Sequence, residues 1–302
     1  MRTDVVCVGE SMALVTPDPP APLERGGPTR LDVAGAESTV ACYLAMLGAR
    51  TAWASRVGAD PLGRLLLSRI GGHGVDTSLV EIDPHAPTGV FFKDPAAGGG
   101  TTVYYYRAGS AASRLGPALV PALSGLVHIS GITPALSPSC AALTDAILAA
   151  PLTVSFDVNY RPALWPVATA APVLRALADR ADIVFVGLDE AATLWGVQRP
   201  AEVRALLPGP ATVVVKNAAE GAYSGTVFVP APPVAVVEPV GAGDAFAAGY
   251  LYGRLRGLSE ADRLALGHRL AGVALRVTGD VGPVPPIETL LELPIPDRRN
   301  DE

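Results

Sequence analysis

Val240-Gly241-Ala242-Gly243-Asp244-Ala245-Phe246-Ala247-Ala248-Gly249 is the stretch that decides how this chain folds. Two glycines flank a small residue, an acid follows, and a run of small apolar residues begins, with Pro239 just before. The pattern predicts a loop turning into a helix around Gly243. The first amides of a helix have no partners inside it and point outward as donors. With the helix dipole they favour an anion, by ~0.3–1 kcal/mol at an exposed site. Gly241 and Gly243 have no Cβ, so a phosphate could approach the backbone closely. A carboxylate at Asp244 would repel that phosphate. Its presence makes sense if it takes a proton from a hydroxyl attacking phosphorus. The alternative is a small-residue helix start with Asp244 as a capping acid, and spacing alone leaves the two level.

Working outward, the 302 residues allow one large α/β domain or two small ones, and 49% apolar content is ample for a sizeable core. Net charge is −6, and no basic face suggests nucleic acid. No apolar run reaches the ~18 residues of a membrane span. The N-terminus enters a strand-like segment directly, which predicts no signal peptide and a cytoplasmic protein. Cys7, Cys42 and Cys140 are far apart and odd in number, as expected of reduced, buried thiols rather than disulfides or a zinc site. His73, His85, His128 and His268 lack metal-ligand spacing. Only two lysines exist, Lys93 and Lys216, and neither follows a glycine. A P-loop (GxxxxGK[ST]) is therefore absent, and no GxGxxG follows the first strand.

Strand-like segments at 4–8, 51–57, 126–130, 152–156, 182–186 and 212–216 alternate with helical ones at about 36–47, 62–70, 138–149 and 189–195. That alternation predicts a mostly parallel sheet flanked by helices, with no linker long enough to split the chain. Residues 16–28, rich in Pro and Gly, suggest loop or edge structure, and 31–33 a brief strand. The alternation breaks at 88–93 and 101–107, a hairpin without a helix between, carrying Tyr104, Tyr105, Tyr106 and Arg107. Such a hairpin suits either a small sheet covering a site or an edge whose tyrosines pack on the core. A second hairpin is expected around Gly225, and the last helices at about 243–256 and 260–277. In open parallel sheets the strand ends build the site, which makes Asp157, Asn159 and Arg161 candidates.

Together these residues resemble the PfkB/ribokinase family of ATP-dependent carbohydrate kinases, over nearly the whole chain. Gly241-Ala242-Gly243-Asp244-Ala245-Phe246 matches the family's C-terminal signature. Tyr105-Tyr106-Arg107-Ala108-Gly109-Ser110-Ala111-Ala112, His128-Ile129-Ser130-Gly131-Ile132 and the stretch from Ser155 to Trp165 are similar to the 2-keto-3-deoxygluconate kinases within it. The resemblance implies a ribokinase-like α/β fold, a single domain over 1–302, and a small β-sheet lid drawn from about 11–33 and 88–107. It implies a sugar or sugar acid between lid and core, ATP near the C-terminal half, and Mg²⁺.

By the same resemblance Asp244 is the catalytic base, and Gly241, Ala242 and Gly243 form the anion hole for the transferred phosphoryl group. Gly35, Ala36, Glu37 and Thr39 fall in the sugar-binding stretch, and Tyr106, Arg107 and Arg161 match sugar-acid contacts. An arginine fork can bind a substrate carboxylate in two places. Asn159, Lys216, Asn217, Ala219 and Gly221, with Gly241 and Gly243, would serve the nucleotide. Glu190 matches an acid acting on the Mg²⁺ shell. A homodimer through the lid is a further implication.

Six positions depart from the family pattern. Thr39 and Ala34 replace the asparagine and first glycine of GGAxxN, and Gly187 replaces the asparagine of NxxE. Ala218 replaces a glycine of KxGxxG, and Glu238-Pro239 replaces the Asp-Thr that in many relatives helps form a monovalent-cation site, which counts against that site here. These departures leave two alternatives: a kinase of another sugar or nucleoside, or a sugar- or nucleotide-sensing protein with little catalysis.

Overall fold

A computed structural model describes residues 3–96 and 100–292. The first half of the chain runs β1 (Val5–Val8), β2 (Met12–Pro17), β3 (Thr29–Ala34), α1 (Ala36–Met46), β4 (Thr51–Gly58), α2 (Pro61–Gly72), β5 (Val80–Asp83), β6 (Val90–Pro95), β7 (Thr101–Tyr106), β8 (Leu126–Ser130), α3 (Thr133–Leu136) and α4 (Pro138–Ala149). It continues with β9 (Thr153–Asp157), α5 (Val167–Ala178), β10 (Ile183–Gly187), α6 (Leu188–Trp195), α7 (Pro200–Leu206), β11 (Thr212–Asn217), β12 (Gly221–Ser224), β13 (Val227–Pro230), α8 (Ala242–Leu255), α9 (Glu260–Ala274) and α10 (Ile287–Glu292).

The central strands are apolar throughout because both faces are covered. In β1, Val5 and Cys7 join the core under α1, α8 and α9, while Val6 and Val8 join the core under α4, α5, α6 and α7. The sheet order is β13-β12-β11-β10-β9-β8-β1-β4-β5. Every pair from β11 to β5 is parallel, and the β12–β13 hairpin closes one edge antiparallel. This is the mostly parallel, helix-flanked sheet that the alternation predicts. Register brings Ser130 beside Asp157 and Gly187 beside Lys216, so the carboxyl ends of β8 to β11 share one rim.

A second sheet, β3-β2-β6-β7, draws its strands from the two stretches that interrupt the alternation. Its core is small: Met12, Leu14, Ala34 and Phe91, with Val103 against them. Tyr104, Tyr105 and Tyr106 stand 47%, 41% and 65% exposed, so they do not pack on the main core. Residues 97–99 of the expected hairpin connection lie outside the described residues.

Some elements differ from the sequence reading. β2 runs through Pro17, into the stretch expected to be loop or edge structure, as an inner strand of the second sheet. Helix α5 went unanticipated because Pro172 lies inside it, and β5 because two of its four residues are exposed. The last long helix stops at Ala274 rather than 277: the amides of Arg276 and Val277 turn to the carbonyls of Val273 and Ala274, three residues back instead of four.

Candidate active site

The opening stretch folds as a turn into a helix. Gly241 caps α8 with φ +83°, a left-handed conformation that glycine adopts without strain. A Cβ there would lie 3.1 Å from the Asp280 carbonyl oxygen, so the turn is also tightly apposed to residues 279–281. Ala242, Gly243 and Asp244 form the first turn, whose amides have no partners within the helix. The helix can reach this rim because its other face is small. Gly249 approaches the Leu266 backbone, where a Cβ would sit 2.6 Å from the carbonyl oxygen.

Asp244 is only 9% exposed and accepts a hydrogen bond from Asn159 Nδ2 at 3.3 Å. Its carboxyl is pushed up to about 8 by burial and by Asp157, against the pull of Arg161 and Lys216. Asn159 follows β9 with φ +37°, a left-handed conformation that asparagine tolerates better than most residues. Lys216, at the end of β11, reaches Asp157 Oδ2 at 2.8 Å. Its ammonium lies 3.3 Å from where a Gly243 Cβ would stand, hence beside the first turn of α8. Burial works against that charge, but Asp157 and Glu190 outweigh it and raise the Lys216 pKa. Sequence reasoning gave Lys216 to the nucleotide loop; the fold places it at the helix start as well.

Glu190 accepts the Gly187 amide at 2.8 Å and the Tyr160 amide at 2.9 Å. Burial raises its pKa, Lys216 lowers it and Asp157 raises it further. Arg161 is exposed and has no hydrogen bond or ion pair among the described residues. It still lies near enough to Asp244, Asp280 and Glu190 to favour their charged forms.

The other expected residues fall into three groups. Gly35 enters α1 with its backbone against Ser11 and Glu10, where a Cβ would lie 2.5 Å from Ser11 Oγ. Ala36 is buried beside it. Thr39 is 2% exposed and lines a cavity of about 230 Å³ with Ser38, Cys42, Arg69, His73 and Asp280. Glu37 is fully buried, and its Oε1 accepts the Ser130 and Thr133 hydroxyls. The carboxylate thus braces the strand ends at Ser130 and Thr133, while its Oε2 has no hydrogen-bond partner among the described residues.

Tyr106 is exposed on β7 and meets Phe92 edge-on. Arg107 is tied to Glu10, its Nε donating to Oε2 at 2.7 Å, and Ser110 holds the other carboxylate oxygen at 2.5 Å. Asn217 Nδ2 donates to Glu220 Oε2 at 2.7 Å, and Ala219 and Gly221 complete that turn into β12. Ala218, where glycine was expected, has φ +42°, so the backbone still takes the left-handed form.

Three further residues stand at this rim. Glu10 anchors Arg107. Lys93, on β6 and 4% exposed, binds Glu238 Oε2 at 3.0 Å. Asp280 is 6% exposed with Oδ1 unpartnered among the described residues, and burial pushes its carboxyl up to about 6, with Lys93 opposing. Their only local signals were a charge at the end of β1, a lone lysine in a strand and a Gly-Asp pair late in the chain.

Away from the rim, His128 and His268 are buried, lowered by burial to about 4, and hydrogen-bonded to Ser155 and the Val229 carbonyl. Cys7, Cys42 and Cys140 are free and buried. Among the described residues no cluster of His, Cys, Asp and Glu is arranged to hold a metal, and no helix is long and apolar enough to cross a membrane.

Comparison with known proteins agrees over nearly the whole chain. The model of the pfkB family carbohydrate kinases matches residues 2–287. A 2-dehydro-3-deoxygluconokinase of Bacillus subtilis (strain 168) is 38% identical over 96% of this chain and 95% of its own. One from Thermoproteus tenax is 36% identical over 91% and 89%. A PfkB protein from Polaromonas sp. JS666 superposes with a TM-score of 0.87 at 35% identity, covering 96% of this chain and all of the other, 100%.

Proposed function

The chain belongs to the pfkB family of carbohydrate kinases, and from that premise we propose that it transfers a phosphoryl group from ATP to the primary hydroxyl of a keto-deoxy sugar acid such as 2-keto-3-deoxygluconate. The observation that carries this reading is Asp244: a buried carboxyl with a raised pKa, in the first turn of α8, beside a lysine and an unpaired arginine. A carboxylate tuned upward is a better proton acceptor than an ordinary one. The sugar oxygen attacks the terminal phosphorus as its proton passes to Asp244, and the bond to the leaving ADP oxygen breaks. The amides of Ala242 and Gly243 face the charge that develops on the transferred group, and the Lys216 ammonium stands beside them. Such fixed donors are worth ~10²–10³ in rate each.

The rim suits Mg²⁺ as the triphosphate's companion. Asp157 Oδ1 and Asn159 Oδ1 are buried without a partner among the described residues, near Glu190, and hard oxygen donors of this kind suit a hydrated Mg²⁺. Bound there, the ion would supply neutralisation of phosphate charge. Asn217, Ala219 and Gly221 are proposed to flank the nucleotide. Arg161 is the proposed partner of the sugar carboxylate, with Tyr106 and Arg107 on the four-stranded sheet acting as the lid side. The two curated relatives, both 2-dehydro-3-deoxygluconokinases, support that substrate class.

The cavity beside Thr39 and Asp280 favours a second reading, a sugar of different shape. ADP release measured over sugar acids, neutral sugars and nucleosides separates the two. Highest kcat/KM on 2-keto-3-deoxygluconate supports the first reading, and turnover confined to neutral sugars overturns it.

A further inference from the structure

We propose that Lys93 is a positioning residue for phosphoryl transfer: a cation tethered to the four-stranded sheet that latches the 236–241 segment and so aims the amides at the start of α8. The proposal rests on the kinase reading of that helix start.

The segment needs a tie. Val236, Val237 and Val240 are 59%, 59% and 40% exposed, so apolar burial holds it weakly. Three contacts fix it instead. The amides of Val237 and Glu238 share the Leu275 carbonyl, at 2.7 and 3.3 Å. Gly241 lies against Asp280. The third is the ion pair of Glu238 with Lys93 Nζ at 3.0 Å, with side chains 23% and 6% exposed. Glu238 stands three residues before Gly241, so its position fixes how the chain enters the turn.

Lys93 itself is 4% exposed, and a buried ammonium is tolerated only when paired. Its acidic surroundings are Glu238 and Asp280, and it lowers the pKa of Asp280 against burial and Glu238. One ammonium thus pairs with an acid on one of the two segments that bracket Gly241 and stands near an acid on the other. It does so from β6, in the middle of the second sheet's order β3-β2-β6-β7. Any shift of that sheet over the sugar is therefore felt at the anion hole. Glu238, which counted against a monovalent-cation site in the sequence, carries a cation of the protein's own.

The test compares wild type, Lys93→Arg, Lys93→Met and Lys93→Met/Glu238→Gln. The double variant removes the acid left unpaired by the single one and guards against simple misfolding. Hydrogen exchange of peptides covering 236–246 reads the latch without turnover. ADP release reads its catalytic effect. In Lys93→Met and in the double variant, exchange in 236–246 is expected to rise at least about tenfold while α9 is unchanged. Their kcat is expected to fall ~10–100-fold, the scale of a misplaced catalytic group. Lys93→Arg keeps both near wild type. Unchanged exchange, or kcat within twofold in both Met variants, overturns the proposal. Exchange altered as expected in a chain whose wild type phosphorylates nothing overturns the kinase reading and leaves the latch standing.

Discussion

Asp244→Asn is predicted to make the protein both less active and more stable. The carboxyl is buried and titrates near 8 against an ordinary value of 3.8. A group whose folded pKa is raised contributes its full stability below the unfolded value and loses it as pH rises through the folded value. Between about pH 4 and 8 the unfolded chain gives up this proton while the folded chain keeps it, so ionisation favours unfolding. At pH 7 the difference is roughly three pKa units, or about 4 kcal/mol. Asparagine cannot ionise, keeps the volume, and its carbonyl can still accept from Asn159 Nδ2. The variant should therefore gain up to about 4 kcal/mol at pH 7, about 6 °C in Tm for a chain of this size, and almost nothing at pH 4. Turnover should fall ~10²–10⁴-fold through loss of the general base. Calorimetry at pH 4, 5.5 and 7, without ligands, reads the first effect and coupled ADP release the second. A variant less stable than wild type at pH 7, or one within a few-fold of its kcat, would refute the reasoning.

Other predictions use the same rim. kcat/KM for the sugar should rise with pH towards an inflection near 8, the free-enzyme titration of Asp244; a flat profile from pH 6 to 9 would exclude it as the base. Arg161→Met should raise KM for a sugar acid by ~10–100-fold, as expected for a lost charge-assisted hydrogen bond, and change stability by less than about 0.5 kcal/mol because the exposed arginine has no hydrogen bond or ion pair among the described residues. An equal loss on neutral sugars would remove its carboxylate role. Gly241→Ala should lose ~1–3 kcal/mol of stability, since φ is +83° and the new Cβ would meet the Asp280 carbonyl at 3.1 Å. Denaturant midpoints unchanged from wild type would count against that tight turn.

The parts of this protein that were legible in its sequence are those governed by near neighbours. Apolar runs bounded by Gly and Pro gave the parallel strands, and the break at 88–107 marked where a second sheet begins. The glycines and acid of 241–244 announced a helix start because the whole device fits within one turn. The parts that were not legible depend on topology. Lys93 meets Glu238 across 145 residues and Arg107 meets Glu10 across 97, separations at which local patterning carries no signal. Glu37 meets Ser130 across 93 residues and Thr133 across 96, contacts that its place in the 35–39 stretch does not announce. Ala218 shows the converse: the glycine is gone, but its left-handed backbone remains at φ +42°. Helix α5 was hidden by Pro172, which stands on its exposed side while Ala170, Leu174 and Leu177 are buried.

The most direct test of the central claim is the product itself. The protein is incubated with ATP, Mg²⁺ and 2-keto-3-deoxygluconate, and the mixture is followed by proton-coupled phosphorus NMR. A new phosphomonoester split into a triplet by the two protons of a primary carbon, growing as ATP falls and absent with Asp244→Asn, is the predicted result. A doublet from a secondary carbon, or unchanged ATP alongside a fully folded protein, would contradict it.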